Sequence, residues 1–410
     1  SAAALRESGV LVPAGQETAG ASPESAVQVG ADGALVLPDD LLVNAPFVAA
    51  FLDASQSVPG SEPLVAALGP SIATERARGR AWLGDADPVG GPLRVPLVLR
   101  RSEPMPADVE GLMALARRAR VVPVDPLEQS RVVPVPRPYR EPDVDGITFS
   151  AVERVALHLT HRTHLLQANL DWLGATFLAG GKRKAGLVLR YLRDRVLPGG
   201  VLLSKVGKGC RIHRTALVEG CQLGDGVEVG AYAILRGCVL GDGVVIEDGA
   251  QAQICVFGDR ARLARQTALF LCVLLEGAHS AQAVMQASVL GRHAATTSDS
   301  WFADVRLTAV TPGPDGLLPG RTDLVRVEAG RGHPREGSFV DSGSRLLGCT
   351  VGHETVVGAG VVVAPGRSLP SRATILGGTG GMLTKTDTAG EDADGGFLRV
   401  VDGRLERVDG

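Results

Sequence analysis

Lysine is nearly missing from this chain: the 410 residues contain only five lysines, and none of them comes before Lys182. Binding a nucleoside triphosphate requires concentrated positive charge or a backbone nest with Mg²⁺. The scarcity of lysine therefore argues against such a site in the N-terminal third. The formal net charge is −3, so the composition gives no indication of a nucleic acid or an acidic membrane surface as partner. An apolar run of membrane-spanning length is also missing.

Aromatic residues are scarce too, at 4% of the chain, whereas glycine occurs 53 times. This composition disfavours a core built on large aromatic side chains. It favours a fold that packs small aliphatic side chains and turns many tight corners.

Cysteine is used only six times, yet its spacing indicates the architecture. Cys221, Cys238, Cys255 and Cys272 follow one another at intervals of 17 residues. Within these intervals aliphatic residues recur at steps of six, six and five positions, as in Leu223, Val229, Leu235 and Leu240. An α-helix does not space its apolar residues in this way. A period of about six is typical of a hexapeptide-repeat parallel β-helix with three-sided coils.

The same repeat predicts the state of the cysteines. Each cysteine stands two positions before an apolar residue, in a slot that points into the coil, and Ser204 and Ser288 are equivalent to them. Stacked coils lie about 4.8 Å apart, closer than the ~5.5 Å Cα separation of a disulfide. We therefore predict a packing column of free thiols rather than disulfides or a metal site. Reduced cysteines, with no signal peptide in the sequence, favour a cytoplasmic protein.

Breaks in the pattern divide the chain into four predicted segments. Residues 1–148 combine strand and helix patterns and predict a small α/β domain, and residues 149–200 predict a helical linker. Residues 201–378 predict the β-helix, with an insertion at 296–345 where the hexads fail. Residues 379–410 predict a tail that ends in an Asp-Gly hairpin. The predicted fold class is thus mainly β.

Several motifs resemble known families. The run from Ile212 to Gly220 (IHRTALVEG), followed by GDGVEVGAYAILRGCVLGDGVVIEDGA, resembles the left-handed β-helix of sugar-1-phosphate nucleotidyltransferases. The group that includes the bifunctional N-acetylglucosamine-1-phosphate uridylyltransferases is particularly similar. The segment Thr163–Asn169 resembles the linker between their two domains, and the last coils (GCTVGHETVVGAGVVVAPG) resemble the acyl-CoA-binding end of hexapeptide acyltransferases. The resemblance covers residues 160–295 and 338–376, roughly 40% of the chain.

The resemblance implies a left-handed β-helix, a homotrimer and transfer of an acyl group from acetyl-CoA or another acyl-CoA to a sugar or small amine. It places the acyl donor at Gly358, Ala359, Gly360 and Ala364, and it implies no metal. Nucleotidyl transfer is not expected, because the candidate glycine-rich loop at 9–18 lacks the arginine and lysine that the family uses. The alternatives are a non-catalytic β-helical scaffold and an active sugar-1-phosphate nucleotidyltransferase.

Histidine is the usual general base in hexapeptide acyltransferases, and His279 in EGAHS is the candidate here. It lies where the 17-residue repeat loses one residue, and broken rules concentrate at functional sites. The alternative is a corner histidine beside an irregular coil. His353 is expected at a solvated corner. His158, His161 and His164 follow one another at steps of three, which drift around a helix, so the three are not expected to share one face as a metal site. Trp301 and Phe302, placed on the predicted insertion, are interpreted as a subunit contact or a ligand wall.

Overall fold

The structure is a computed structural model. It describes residues 24–29, 33–38, 41–71, 74, 91–100, 106, 108–134, 145–159, 164–178, 200–202, 204–305, 325–328, 339–342, 344, 346–379, 381–384, 386 and 396–408. The chain divides into two units: one comprises Ser1–Thr160 with Asp171–Ala179, the other His161–Leu170 with Gly180–Gly410. No helix in the described part of the chain is long and apolar enough to cross a membrane.

The N-terminal unit contains a mixed five-stranded sheet with one helix on each face. The strands, in spatial order, are β1 (Glu24–Val29), β2 (Gly33–Pro38), β5 (Leu93–Arg100), β4 (Leu64–Leu68) and β6 (Arg120–Val124). Helix α1 spans Ala45–Gln56 and helix α2 spans Val109–Arg118. Alternating strand residues face the two helices: Leu35 packs with the α1 residue Phe47, and Val36 packs with the α2 residue Leu112. The α/β architecture predicted for this part is confirmed.

Asn44 ties α1 to the end of this unit. Its Oδ1 accepts hydrogen bonds from the N–H groups of Phe47, at 3.1 Å, and Val155, at 3.0 Å. Its Nδ2 donates to the Glu153 carbonyl at 2.8 Å. One buried side chain thus caps the helix and holds a segment more than 100 residues away.

The segment predicted as a helical linker begins with strands. A hairpin pairs β7 (Glu128–Pro134) with β8 (Gly146–Val152), and β9 (Ala156–His158) pairs with β3 (Leu41–Val43). Helix α3 begins only at His164 and ends at Leu178. The prediction of a helix beginning at residue 149 was therefore wrong for residues 149–158. Their apolar side chains belong to strands that complete sheets of the N-terminal unit. Residues 179–199 and His161 lie outside the described residues.

The second unit is the predicted left-handed parallel β-helix, built of three parallel sheets. The first sheet contains β10 (Gly200–Leu202), β12 (Leu217–Glu219), β15 (Ile234–Arg236), β18 (Gln251–Gln253), β21 (Ala268–Phe270), β24 (Val284–Gln286), β27 (Trp301–Phe302) and β32 (Val362–Val363). The second contains β11 (Arg211–Ile212), β14 (Glu228–Val229), β17 (Val245–Ile246), β20 (Arg262–Leu263), β23 (His279–Ser280), β26 (Ala295–Thr296), β31 (Val356–Val357), β33 (Ala373–Thr379), β34 (Gly396–Val401) and β35 (Arg404–Arg407). The third contains β13 (Gln222–Leu223), β16 (Val239–Leu240), β19 (Val256–Phe257), β22 (Val273–Leu274), β25 (Val289–Leu290) and β30 (Thr350–Val351).

The insertion begins later than the sequence predicted. Strands β26 and β27 continue the coil through Phe302, and β25 pairs with β30, so that Ser288 and Cys349 are stacked although 61 residues separate them. The extra chain lies between Phe302 and Thr350, and it includes a two-stranded hairpin of β28 (Arg326–Glu328) and β29 (Phe339–Asp341). The prediction that hexads fail at 296 was wrong because the inward positions there carry Thr296 and Phe302 instead of aliphatic residues. Both are buried inside the prism.

The C-terminal tail closes the prism as a hairpin. Strand β34 pairs with β33 in parallel and with β35 in antiparallel orientation. The turn is Asp402-Gly403, and both residues have positive φ angles, 45° and 75°. Such angles suit an Asp-Gly two-residue turn. Leu398, Val400 and Leu405 are buried in the main core, so the predicted capping hairpin is present.

Corners of the β-helix are held by side chains of the next coil. The carboxylates of Asp225, Asp242 and Asp259 each accept a hydrogen bond from the backbone N–H one coil below, at 2.7, 2.7 and 2.9 Å. His353 has the same role in a later coil: its Nδ1 accepts from the Arg292 N–H at 2.9 Å. His353 therefore lies at an exposed corner, where the sequence placed it.

All six cysteines are free, and five of them are buried. The column predicted from the repeat is present: the Cys221 N–H donates to Ser204 Oγ at 2.9 Å, and the Cys238 N–H points at Cys221 Sγ at 3.4 Å. Ser288 has the equivalent role below Cys349. Burial raises the pKa of the Cys255 and Cys349 thiols well above the ordinary value. The column is therefore packing, and the Cys255 and Cys349 thiols are poor nucleophiles.

We expect the five buried cysteines to resist a thiol reagent in the native protein and to react fully after denaturation. Cys238→Ser should lower the free energy of unfolding by only about 1–3 kcal/mol, because the new buried hydroxyl can donate a hydrogen bond to the nearby Arg236 or Ala252 carbonyl. Cys238→Leu should cost at least as much, because it overpacks the prism. Mass spectrometry of labelled protein and urea denaturation measure both effects. Rapid labelling without denaturant would contradict the packing column.

Candidate functional site

His279 lies on strand β23 and faces away from the prism. The next residue, Ser280, is fully buried, and successive residues of a strand point to opposite faces. The parallel ladder places Arg262 directly below His279 and Ala295 directly above it. The corner histidine considered from the sequence is therefore wrong: the side chain stands on a flat face of the β-helix.

The ring of His279 is half-buried, and its Nε2 is withdrawn from solvent. Among the residues that the structure describes, this nitrogen has no hydrogen-bond partner. Burial lowers the pKa of His279 below the usual 6.5; the Arg262 charge acts in the same direction, and Glu247 opposes both. The imidazole is therefore neutral at physiological pH, the form that a general base requires.

Small side chains border His279 on its own face. The outward positions beside it, one coil below, on its own coil and one coil above, are Ala264, Ala281 and Thr297. The Ala264 N–H bonds to the Ser280 carbonyl and the Ala281 N–H to the Thr296 carbonyl, so these positions are in register. None of these three residues carries a charge.

The coil shortens immediately after His279. Leu263 pairs with Ser280, 17 positions on, whereas Ala268 pairs with Val284, 16 positions on. The residue is lost at the corner between Ala281 and Ala283. Gln282 occupies this tightened corner with φ 42°, and its Oε1 accepts a hydrogen bond from Ser298 Oγ at 2.7 Å.

Three of the four predicted acyl-donor residues share this face and edge. Gly358 continues the outward positions Ala281 and Thr297, because the Thr297 N–H bonds to the Val357 carbonyl. It lies two coils above Ala281, at about 10 Å. Ala359 and Gly360 form the exposed corner next to it. A Cβ at residue 358 would lie 2.8 Å from the Ile375 carbonyl oxygen, so glycine is required there by the next coil.

Ala364 does not join the other three. It follows β32 at the far end of the first sheet, is 6% exposed and donates its N–H to the Leu383 carbonyl. The resemblance grouped it with Gly360, but the chain passes through β32 of the first sheet between the two residues.

Trp301 belongs to the β-helix and not to the insertion. It pairs with Val284 below and Val362 above on the first sheet, and 48% of its surface is exposed. Val284 is exposed to a similar extent, 49%. Phe302 is buried, so the exposed Trp-Phe pair inferred from the sequence was wrong.

An ion pair below His279 escaped the sequence analysis. Arg262 donates from Nε to Glu247 Oε1 at 2.7 Å, and its Nη2 contacts the same oxygen. Glu247 stands one coil below Ala264, on the same outward positions. Glu247 and Arg262 meet only because successive coils stack at an interval of 17 residues. That interval was the sequence signal from which the ion pair could have been predicted.

Two other candidate sites offer little chemistry. A recess of ≈ 200 Å³ at the base of the insertion is lined by Val325, Arg326, Pro365 and Arg367. Arg367 already donates to backbone carbonyls there. Within the described ranges, no group of three or more His, Cys, Asp or Glu side chains is arranged to hold a metal ion.

Comparisons with known proteins give similarity only at the level of solved structures. No protein-family model and no curated protein matches the chain. A Bacillus cereus protein described as an acetyltransferase matches with 13% identity and a TM-score of 0.14, over 42% of this chain and 76% of its own. The polysialic acid O-acetyltransferase OatWY matches with 14% identity and a TM-score of 0.19, over 50% and 87%. Similarity at this level carries no argument about the reaction.

We expect His279 to titrate below 6.5 in the native protein, because burial and Arg262 both disfavour its charged form. The measurement is a ¹H–¹⁵N NMR titration of the imidazole, with the resonance assigned by its loss in His279→Gln. A midpoint at or above 6.5 would contradict the described environment.

Proposed function

We propose that the protein is an acyl-CoA-dependent acyltransferase that acts on a hydroxyl or amine of a sugar or small amine, without nucleotidyl transfer. The observation that supports this most is the neutral, half-buried His279 with an unpartnered Nε2, on the same face and edge as Gly358, Ala359 and Gly360. The proposal includes a cytoplasmic homotrimer, as the sequence predicted.

In the proposed acyl transfer, His279 acts as the general base and residues 358–360 hold the acyl donor. His279 takes the proton from the acceptor hydroxyl or amine as that atom attacks the thioester carbonyl. The C–S bond then breaks, and the proton passes from the imidazolium to the departing thiolate, so that His279 is neutral again. Acyl-CoA supplies the activated acyl group. The corner at Ala359-Gly360 and the glycine at 358 present backbone without bulky side chains, which suits close approach of an extended donor.

The shortened corner gives this face room that a regular coil lacks. The position corresponding to Arg265 in the coil below and Ser298 in the coil above is absent beside Ala281. One corner side chain is thus missing close to His279. The acceptor would enter here, and Gln282 and Ser298 are the polar side chains available to contact it.

We expect His279→Ala to lower kcat by about 10²–10⁴-fold, because it removes the general base. The melting temperature and oligomer size should remain unchanged, since the side chain faces outward. The assay measures thiol release from acetyl-CoA with a panel of amino sugars and small amines. His353→Asn, which keeps an acceptor for the Arg292 N–H on a different corner, is the matched control. Undiminished turnover in His279→Ala would disprove the assignment.

A second candidate function, a non-catalytic scaffold, is favoured by one observation: Val284 and Trp301 stack as neighbouring exposed apolar residues on the first sheet. Such a patch suits contact with another copy of the chain. If wild-type protein neither binds acetyl-CoA nor consumes it, the scaffold is the better account. Trp301→Ala should then dissociate the oligomer in sedimentation velocity, while Gln251→Ala on the same sheet should not.

A further inference from the structure

An ion pair between Arg262 and Glu247 occupies the surface below His279. Arg262 is the ladder partner of His279, one coil down, and its guanidinium is bound to Glu247. Arg262 therefore lies one strand spacing, about 4.8 Å, below the strand that carries the candidate base. Glu247 lies one coil lower, just after β17.

Glu247 is held from two sides. Its Oε1 accepts from Arg262, and its Oε2 accepts the Arg265 backbone N–H at 3.2 Å and lies 3.8 Å from the Arg265 Nε. The glutamate side chain is 21% exposed, whereas those of Arg262 and Arg265 are 52% and 73% exposed. The hydrogen bond from Arg262 lowers the pKa of Glu247, so the carboxylate is charged at neutral pH.

The other charged groups near His279 lie at corners. Glu276 lies at the corner before β23 and is paired with Arg260 of the coil below. Arg292 and His293 lie at the corresponding corner one coil above. The ladder neighbour above is the uncharged Ala295. On the flat face itself, Arg262 and Glu247 are therefore the charges that act on the imidazole, with Arg265 behind them.

We propose that the Glu247–Arg262 pair is a positioning element for the base. Glu247 anchors the Arg262 guanidinium on the coil below His279, and this positive charge adds to the effect of burial in disfavouring the protonated imidazole. The proposal rests on the proposed function for its catalytic meaning. Its physical content, a fixed cation that opposes the imidazolium, is independent of turnover.

The two members of the pair act on His279 with opposite sign, which makes the proposal testable. Removing the arginine charge removes repulsion of the imidazolium and leaves the Glu247 carboxylate, which stabilises it. Removing the glutamate charge leaves the guanidinium uncompensated. A residue with a merely structural role would not produce shifts in opposite directions.

The experiment is the NMR titration of His279 in the full chain. Arg262→Gln should raise the midpoint relative to wild type, and Glu247→Gln should lower it. Arg262→Lys should leave the midpoint of His279 close to the wild-type value, because the positive charge is retained. Arg211→Gln, which breaks another Arg–Glu pair on the same sheet with its arginine four coils below His279, should leave the midpoint unchanged. Because Arg265 can move onto Glu247, Arg262→Gln/Arg265→Gln should give a larger rise than Arg262→Gln alone.

Turnover separates this inference from the proposed function. In an active enzyme, the acid limb of the kcat/KM profile should move to higher pH in Arg262→Gln and to lower pH in Glu247→Gln. Midpoints that stay fixed, or that move in the same direction in both variants, would overturn the inference even if His279→Ala is inactive. If His279→Ala is fully active while the midpoints shift as stated, the proposed function fails and the electrostatic inference stands.

Discussion

The constraint on which the rest of this structure depends is the register between stacked coils. Each coil donates backbone N–H groups to carbonyls of its neighbour, as from Gln222 to Cys238 at 2.9 Å and from Glu228 to Val244 at 2.9 Å. A slip of one residue would turn every inward side chain outward. The register therefore determines the cysteine column, the aspartate-held corners and the outward position of His279 together.

Corners are where this fold absorbs changes in chain length without losing that register. One residue is missing between Ala281 and Ala283, and a long insertion follows Phe302, yet the strands on both sides of each change remain paired. A solenoid accepts such changes because corner residues lie outside the ladder. The candidate base lies beside one such change.

The sequence was informative wherever a repeat translates directly into geometry. The 17-residue spacing predicted the β-helix and the free cysteines, because each position recurs in one chemical environment. It failed at Thr296 and Phe302, since a hydroxyl that bonds to Ser280 Oγ and a large aromatic ring occupy the slots where aliphatic residues were expected. The resemblance grouped Ala364 with Gly358, Ala359 and Gly360, but the chain changes face every few residues, and Ala364 follows a strand of the first sheet.

The surface ion pairs show why position matters more than strength here. Arg211–Glu228, Arg236–Glu219 and Arg260–Glu276 are exposed, and pairs of this kind contribute about 0–1 kcal/mol to folding. Stability alone gives little reason for one more such pair below His279. The Arg262–Glu247 pair differs in its neighbour, a half-buried imidazole whose proton equilibrium responds to a nearby charge. An interaction that is almost neutral for folding can therefore still shift the proton equilibrium of the adjacent side chain, in addition to the larger effect of burial.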